Sequence, residues 1–385
     1  MIRTIRGRPE RGKHVRPVRR GVKWTGLVLS MVIAAAGAVS AAGPARLVRD
    51  INERPHQLQM SSSPGPFVEA GGIIYFAATN PSSGRELWKT DGTPSGTVLL
   101  KDIAPGAQGS NPDHLTRVGA VLYFTANDGI HGSELWKSDG TEAGTLLVKD
   151  IRPGPGDSFP YDFTGFGGAV FFFADDGRGI ALWKSEGTEA GTALVKNLLA
   201  DPRGRIPREL HAAGRTLFFF ADDGIHGHEL WRSDGTEAGT MLVKDIHPGP
   251  EASFPFDLTG FGATAFFVAR DGIHGYEIWR SDGTAAGTLP LTTGTPDDVQ
   301  SSDFQLTEAN GTLFFAAPDL IHGHELWRSD GTGAGTVVVK DLNPGAESSW
   351  PRDLIEAGRR HPRRGALDER RHGIEDGPRQ GHPSR

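Results

Sequence analysis

Glu134-Leu135-Trp136-Lys137-Ser138-Asp139-Gly140-Thr141-Glu142-Ala143-Gly144-Thr145 is the fullest form of a twelve-residue phrase that recurs six times along the chain. Its tryptophans fall at Trp88, Trp136, Trp183, Trp231, Trp279 and Trp327, a period of 48 residues with one slip to 47. A fixed period of this size marks an array or a propeller, and it constrains the fold more than any single motif could. It also constrains function. A catalytic centre needs several different residues in one place, whereas a copied phrase supplies the same residues in six places.

Around each phrase lie the same four strand signals. In the fourth unit, Thr216-Leu217-Phe218-Phe219-Phe220-Ala221 is an apolar run without alternation, as expected of a strand covered on both faces. Asp222-Asp223-Gly224-Ile225-His226-Gly227 turns the chain into a second strand, His228 to Arg232. Ser233 to Thr240 makes the next turn, and Met241-Leu242-Val243-Lys244-Asp245-Ile246 is the following strand. A shorter segment, Asp257 to Phe261, opens the next unit. Short antiparallel strands with no helical period predict an all-β fold, a β-propeller of four-stranded blades with six full blades and an incomplete seventh. A right-handed β-solenoid is the alternative, but such coils repeat at shorter spacing and carry fewer tight hairpins.

Most signature residues have structural reasons. The six tryptophans are expected to wedge between blades, each burying ~150 to 250 Å². Asp91, Asp139, Asp234, Asp282 and Asp330, each followed by Gly, can bond the backbone two residues on and fix a turn. Gly140 and Gly144 are expected to supply positive φ. Near the start, Arg46-Leu47-Val48-Arg49-Asp50-Ile51 copies the outer-strand phrase Leu147-Val148-Lys149-Asp150-Ile151 without a blade of its own before it. Such an orphan outer strand would complete a last blade and remove an open edge; the alternative is a stray partial repeat.

The phrase Glu86-Leu87-Trp88-Lys89-Thr90-Asp91-Gly92-Thr93 and its copies resemble the ELWxxDGT-repeat family of exported bacterial proteins, some of which carry the label hyalin. The resemblance covers roughly residues 46 to 358. It implies a secreted, propeller-forming protein and no activity. The third unit departs from the pattern, with Ala181 in place of Glu and Glu186 in place of Asp. The fifth departs at Leu291-Thr292-Thr293, which replaces Val-Lys-Asp.

Outside residues 43–358 the chemistry changes. Nine Lys or Arg residues lie between Arg3 and Lys23, followed by an uncharged apolar stretch from Trp24 to Val39 and the small-residue pattern Val39-Ser40-Ala41. That order reads as a signal peptide over residues 1–42, implying export to the periplasm, cell surface or medium, with no stable membrane span after cleavage. A single membrane anchor is the alternative, although the run falls short of the roughly 20 residues a span requires. There is no cysteine, so neither a disulfide nor a lipid-modified cysteine can form.

The C-terminal segment, residues 359–385, is basic. Its codons, read one nucleotide later, can encode Asp-Gly-Ile-His-Gly-x-Glu-Leu-Trp, so it reads as the frameshifted remnant of a seventh repeat and is expected to be disordered. Without leader and tail, 24 basic face 42 acidic residues, a net charge of −18 where the whole chain carries −6. A body of that charge repels nucleic acid and favours cations or basic surfaces. The expected partner is a protein or a glycan at the cell surface.

Candidate contact residues lie on the hairpins between the second and third strands of a blade. They are His131, His226, His274 and His322, with Asp128, Asp223 and Asp271 three residues before the first three histidines and Glu134, Glu229 and Glu277 three residues after them. Carboxylates and carbonyls around Gly suit calcium, which takes about 6 to 8 oxygen ligands, although the spacing matches no established calcium loop. The plainer reading is a turn that His caps. An enzyme would place its carboxylates in irregular segments instead: Asp201-Pro202-Arg203-Gly204-Arg205 or Asp297-Asp298-Val299-Gln300. Neither holds a recognisable constellation, and the chain carries no His-Glu-x-x-His, nucleophile elbow or phosphate loop.

Overall fold

The computed structural model describes residues 47–51, 61–198, 206–292, 304–352 and 354. The expected signal peptide, the basic tail and the segments 201–205 and 297–300 lie outside the described residues. Within them every regular element is a strand. Twenty-four strands form six four-stranded antiparallel sheets, each of consecutive strands. Blade 1 is β1 (Val68–Ala70), β2 (Ile73–Asn80), β3 (Gly84–Thr90) and β4 (Val98–Lys101). Blades 2 to 6 follow over residues 113–149, 161–197, 208–244, 256–290 and 305–340. The innermost strands touch in chain order, as a β-propeller requires.

Each blade builds its core with the next. Tyr75, Leu87, Leu100 and Ile103 of blade 1 join Leu122, Phe124 and Trp136 of blade 2 in one buried cluster. The same arrangement seats Trp183, Trp231 and Trp279 against the blade before each of them, and Trp327 is partly buried in the last such cluster. Trp88 packs on Ile51 of the N-terminal segment, with Phe76 and Ala78. The tryptophans are therefore the wedges that the sequence implied, and apolar burial at ~25 cal/mol per Å² makes these interfaces the main source of cohesion.

The other letters of the phrase also acquire roles. Asp139 Oδ1 accepts the Thr141 N–H at 2.9 Å and its hydroxyl at 2.7 Å. Asp91, Asp234, Asp282 and Asp330 repeat the N–H bond at 2.8 to 2.9 Å. The Ser138 and Thr145 hydroxyls bond at 2.8 Å in the buried neck of the hairpin, and Ser138 Oγ accepts the Gly140 N–H. Gly140 does adopt positive φ, +92°. Gly144 does not: its requirement is space, because a Cβ there would fall 2.0 Å from the Asp139 carboxylate. Lys89, Arg232 and Arg280 reach across to the Gly140, Gly283 and Gly331 carbonyls of the following blade.

Candidate functional site

Loops joining the second and third strands emerge beside the loops that join blades. Gly132 sits so close to the inter-blade loop that a Cβ would come 2.5 Å from the Gly156 carbonyl oxygen, and Gly227 meets Glu251 in the same way. No side chain larger than hydrogen fits there. The Ser158 N–H then donates to the Ser133 carbonyl at 3.1 Å, tying the two loops together.

At the tip of four of these hairpins an Asp braces a His. Asp128 Oδ1 accepts the N–H groups of Ile130 and His131 at 2.9 Å each, and its Oδ2 lies 2.7 Å from His131 Nδ1. Asp223 repeats the arrangement with Ile225 and His226, the imidazole at 2.7 Å. Asp271 does so with Ile273 and His274 at 2.9 Å. The fourth pair is Asp319 with His322, at 2.7 Å. Asp319 escapes a search for Asp-Gly because Leu320 stands where the other loops have Gly, yet its spacing of three to the histidine is the same.

The electrostatics follow from the bracing. The hydrogen bond that His131 donates to Asp128 raises its pKa above the ordinary imidazole value, and Asp223 and Asp319 do the same for His226 and His322. Burial opposes the charge on Asp128, but the backbone and imidazole donors outweigh it and hold the carboxyl below its usual value. With Nδ1 bonded to the Asp, the other ring nitrogen, Nε2, is an acceptor in the neutral imidazole and a donor in the protonated one. Beside each ring an isoleucine stands in solvent: Ile130, Ile225, Ile273 and Ile321 are 65 to 81% exposed. Blades 1 and 3 lack the pair, carrying Pro81-Ser82-Ser83 and Gly177-Arg178-Gly179 at the corresponding turn.

The Asp128, Asp223 and Asp271 oxygens are taken up by their own turns, and Glu134 and Glu229 point inward. Glu134 is fully buried and accepts from the Ile151 and Arg152 N–H groups and from Ser158 Oγ, at 2.8, 3.4 and 2.6 Å. Glu229 holds Ile246, His247 and Ser253 in the same manner. Burial pushes Glu134 up to about 7 and Glu229 to about 8, against the hydrogen bonds that favour their charge. Among the described residues no three His, Asp or Glu side chains converge on a point that could hold a metal ion.

A second group of polar residues was not anticipated from the sequence. In blades 2 to 5 the innermost strand bulges, and the bulge holds His114, Asp162, Glu209 and Asp257 at φ between +53° and +61°. Left-handed backbone at non-glycine residues costs about 1 to 3 kcal/mol each. The side chains offset that cost by linking blades: Asp162 Oδ2 accepts the Glu209 N–H and Glu209 Oε2 accepts the Leu258 N–H, both at 2.7 Å. Burial raises the Asp162 pKa. The only signal in the sequence was a polar residue inside a short apolar strand.

No family model and no curated protein sequence matches this chain. Solved structures do. A prolyl endopeptidase is similar at 13% identity and a TM-score of 0.44, over 74% of this chain and 43% of that one. TolB from Acinetobacter baumannii is similar at 11% identity and a TM-score of 0.35, over 70% and 63% of the two chains. The β-propeller domain of the Trilobed protease from Pyrococcus furiosus is similar at 10% identity and a TM-score of 0.40, over 73% and 85%. This chain thus spans less than two thirds of the endopeptidase and of TolB, and likenesses this distant carry no argument about its activity.

Proposed function

We propose that this chain is an exported, non-catalytic propeller of the ELWxxDGT-repeat kind that binds a protein or glycan at the cell surface. The observation that carries the reading is the set of four braced hairpins, each offering an exposed isoleucine beside an oriented imidazole. A rigid tip loses little conformational freedom on binding, so its apolar and polar contacts are retained as affinity. Repetition of one chemistry over several blades suits multivalent contact better than catalysis. Contact with the tips of blades 4, 5 and 6, which are consecutive, would engage His226, His274 and His322 together.

The test is retention of the labelled protein on intact cells of the producing organism and on a glycan array. Replacing Ile130, Ile225, Ile273 and Ile321 together by Ser removes the apolar tips without touching the bracing carboxylates. Binding is expected to fall at least tenfold. A variant that is retained as well as the parent would rule out this face.

A further inference from the structure

The two ends of the array carry complementary halves of a blade. At the N-terminal end, residues 47–51 occupy the outer-strand position of a blade preceding blade 1. Arg49 Nη1 donates to the Thr97 carbonyl at 2.6 Å, the bond that Lys101 makes to Thr145 at 2.7 Å and Lys244 makes to Thr288 at 2.9 Å. Ile51 is buried against Trp88 as Ile103 is against Trp136. At the other end, Leu354 takes the place of the innermost strand of a blade following blade 6. Its carbonyl accepts from Thr307 Oγ1 at 3.1 Å and its N–H donates to Gln305 Oε1 at 3.4 Å, and Thr164 makes the equivalent bond to Leu210.

Among the described residues no middle strands join these halves, and blade 6 is open where they would stand. Leu342 is 57% exposed and Val339 45%, where Ile103, Ile151, Ile246, Leu100, Val148 and Val243 are buried beneath the next blade. Phe314 and Leu326 are half-buried at positions that are buried in the earlier blades. The outer strand of blade 6 cannot itself serve blade 1, because residues 47–51 already hold that place. Residues 359–385 contain eight Arg and, as aliphatic residues, only Ala366, Leu367 and Ile374.

We propose that the bare face of blade 6 and the segment 47–51 are the two walls of a slot for one β-hairpin, the second and third strands of a seventh repeat. Its chemistry is set by the five inter-blade interfaces already filled. An aromatic run of the form Leu-Phe-Phe covers Leu326 and Phe314. A Glu-Leu-Trp strand lays its tryptophan over Val339 and Leu342 and pairs its outer edge with residues 47–49. The shifted reading of residues 359–385 can encode such a Glu-Leu-Trp strand.

Because the chain has no cysteine, a single introduced thiol reports the slot cleanly. In the full chain carrying Leu342→Cys, alkylation is followed with and without a synthetic peptide reproducing residues 216–233, a complete middle hairpin of this protein. The same is done with Ile130→Cys, on the opposite kind of loop. The peptide is expected to slow alkylation at position 342 at least tenfold and to leave position 130 unchanged. A chain with the shifted frame restored and Leu342→Cys should show the protection unaided. Protection of position 342 alone in either case supports the slot; the parent rate in both, or equal slowing at both reporters, overturns it.

Discussion

Blades 2 and 3 lie side by side with the same strands and the same tryptophan, yet the chain leaves their outer strands with a different sequence and a different first hydrogen bond. In blade 2 the loop over residues 150–158 folds around the buried Glu134 carboxylate, and Asp150 accepts the Gly154 N–H at 3.1 Å. In blade 3 the residue corresponding to Glu134 is Ala181, fully buried, and the Leu198 N–H turns to the Ile180 carbonyl at 3.2 Å instead. The Asp-Ile-x-Pro-Gly sequence is lost with the glutamate, replaced by Asn197-Leu198-Leu199-Ala200-Asp201. The comparison teaches that glutamate and loop form one unit. The carboxylate is tolerated inside because several donors converge on it, and those donors are placed by a loop that exists to meet it.

That pairing can be broken from either side. Ala181→Glu puts a carboxylate where the Leu198 N–H is already committed to the Ile180 carbonyl and the Asp-Ile-x-Pro-Gly sequence is lost, and stability is expected to fall by about 4 kcal/mol, the range for an uncompensated buried charge. Glu229→Ala leaves the Ile246, His247 and Ser253 donors unpaired, at an expected loss of about 3 kcal/mol. Urea unfolding measures both. If Ala181→Glu proved neutral, the loop of blade 3 would have to accommodate a carboxylate as the others do.

The hairpin turns offer a smaller but cleaner contrast. Gly239→Ala would set a Cβ 2.0 Å from the Asp234 carboxylate, so the turn must open at a cost of about 2 kcal/mol. Gly333→Ala, in the same hairpin of blade 6, meets nothing within 4 Å and has ordinary φ, so its effect should stay within about 0.5 kcal/mol. Equal effects would mean that the glycines act through the unfolded chain and not through the space they leave.

The sequence made some of this legible and hid the rest for physical reasons. The tryptophan wedges and Asp-Gly-Thr turns could be read because their partners are either two residues away or one period away. Glu134 could not be understood from spacing, since its donors lie 17 to 24 residues further on, in a loop whose shape the carboxylate itself determines. The carboxylates of the inner strands were invisible for a related reason: a bulge shows only when the neighbouring blade is in place to receive the Asp162 and Glu209 side chains. Gly144 was assigned a backbone role because turns favour positive φ, whereas its neighbour's carboxylate decides it. The bracing of His131 by Asp128 was partly legible, as a turn with a histidine, but the exposed isoleucine beside it became informative only when four copies proved to share one geometry.

A further effect is spread over the glutamate-bearing blades and appears as pH dependence. A carboxyl whose pKa is higher in the folded chain keeps its proton there when the unfolded chain has lost it, so raising the pH between the two values removes stability. For Glu134 and Glu229 that window runs from about 4.5, the unfolded value, to about 7 and about 8. The braced histidines His131, His226 and His322 act in the same sense, since their raised values give stability that is lost as pH rises above 6.5. The turn carboxylates Asp139 and Asp234 act oppositely, but only below their unfolded value of 3.8. The unfolding midpoint should therefore be highest near pH 4 to 5 and decline toward pH 8. Glu134→Gln with Glu229→Gln removes these titrating groups while keeping an acceptor for the loop donors, so the decline should flatten and leave the shares of the histidines, Glu86 and Asp162. Blade 3 has no glutamate share in this slope because Ala181 cannot titrate. A midpoint that climbs from pH 5 to 8 in the parent would show that the loop donors hold both glutamates charged and that burial does not win.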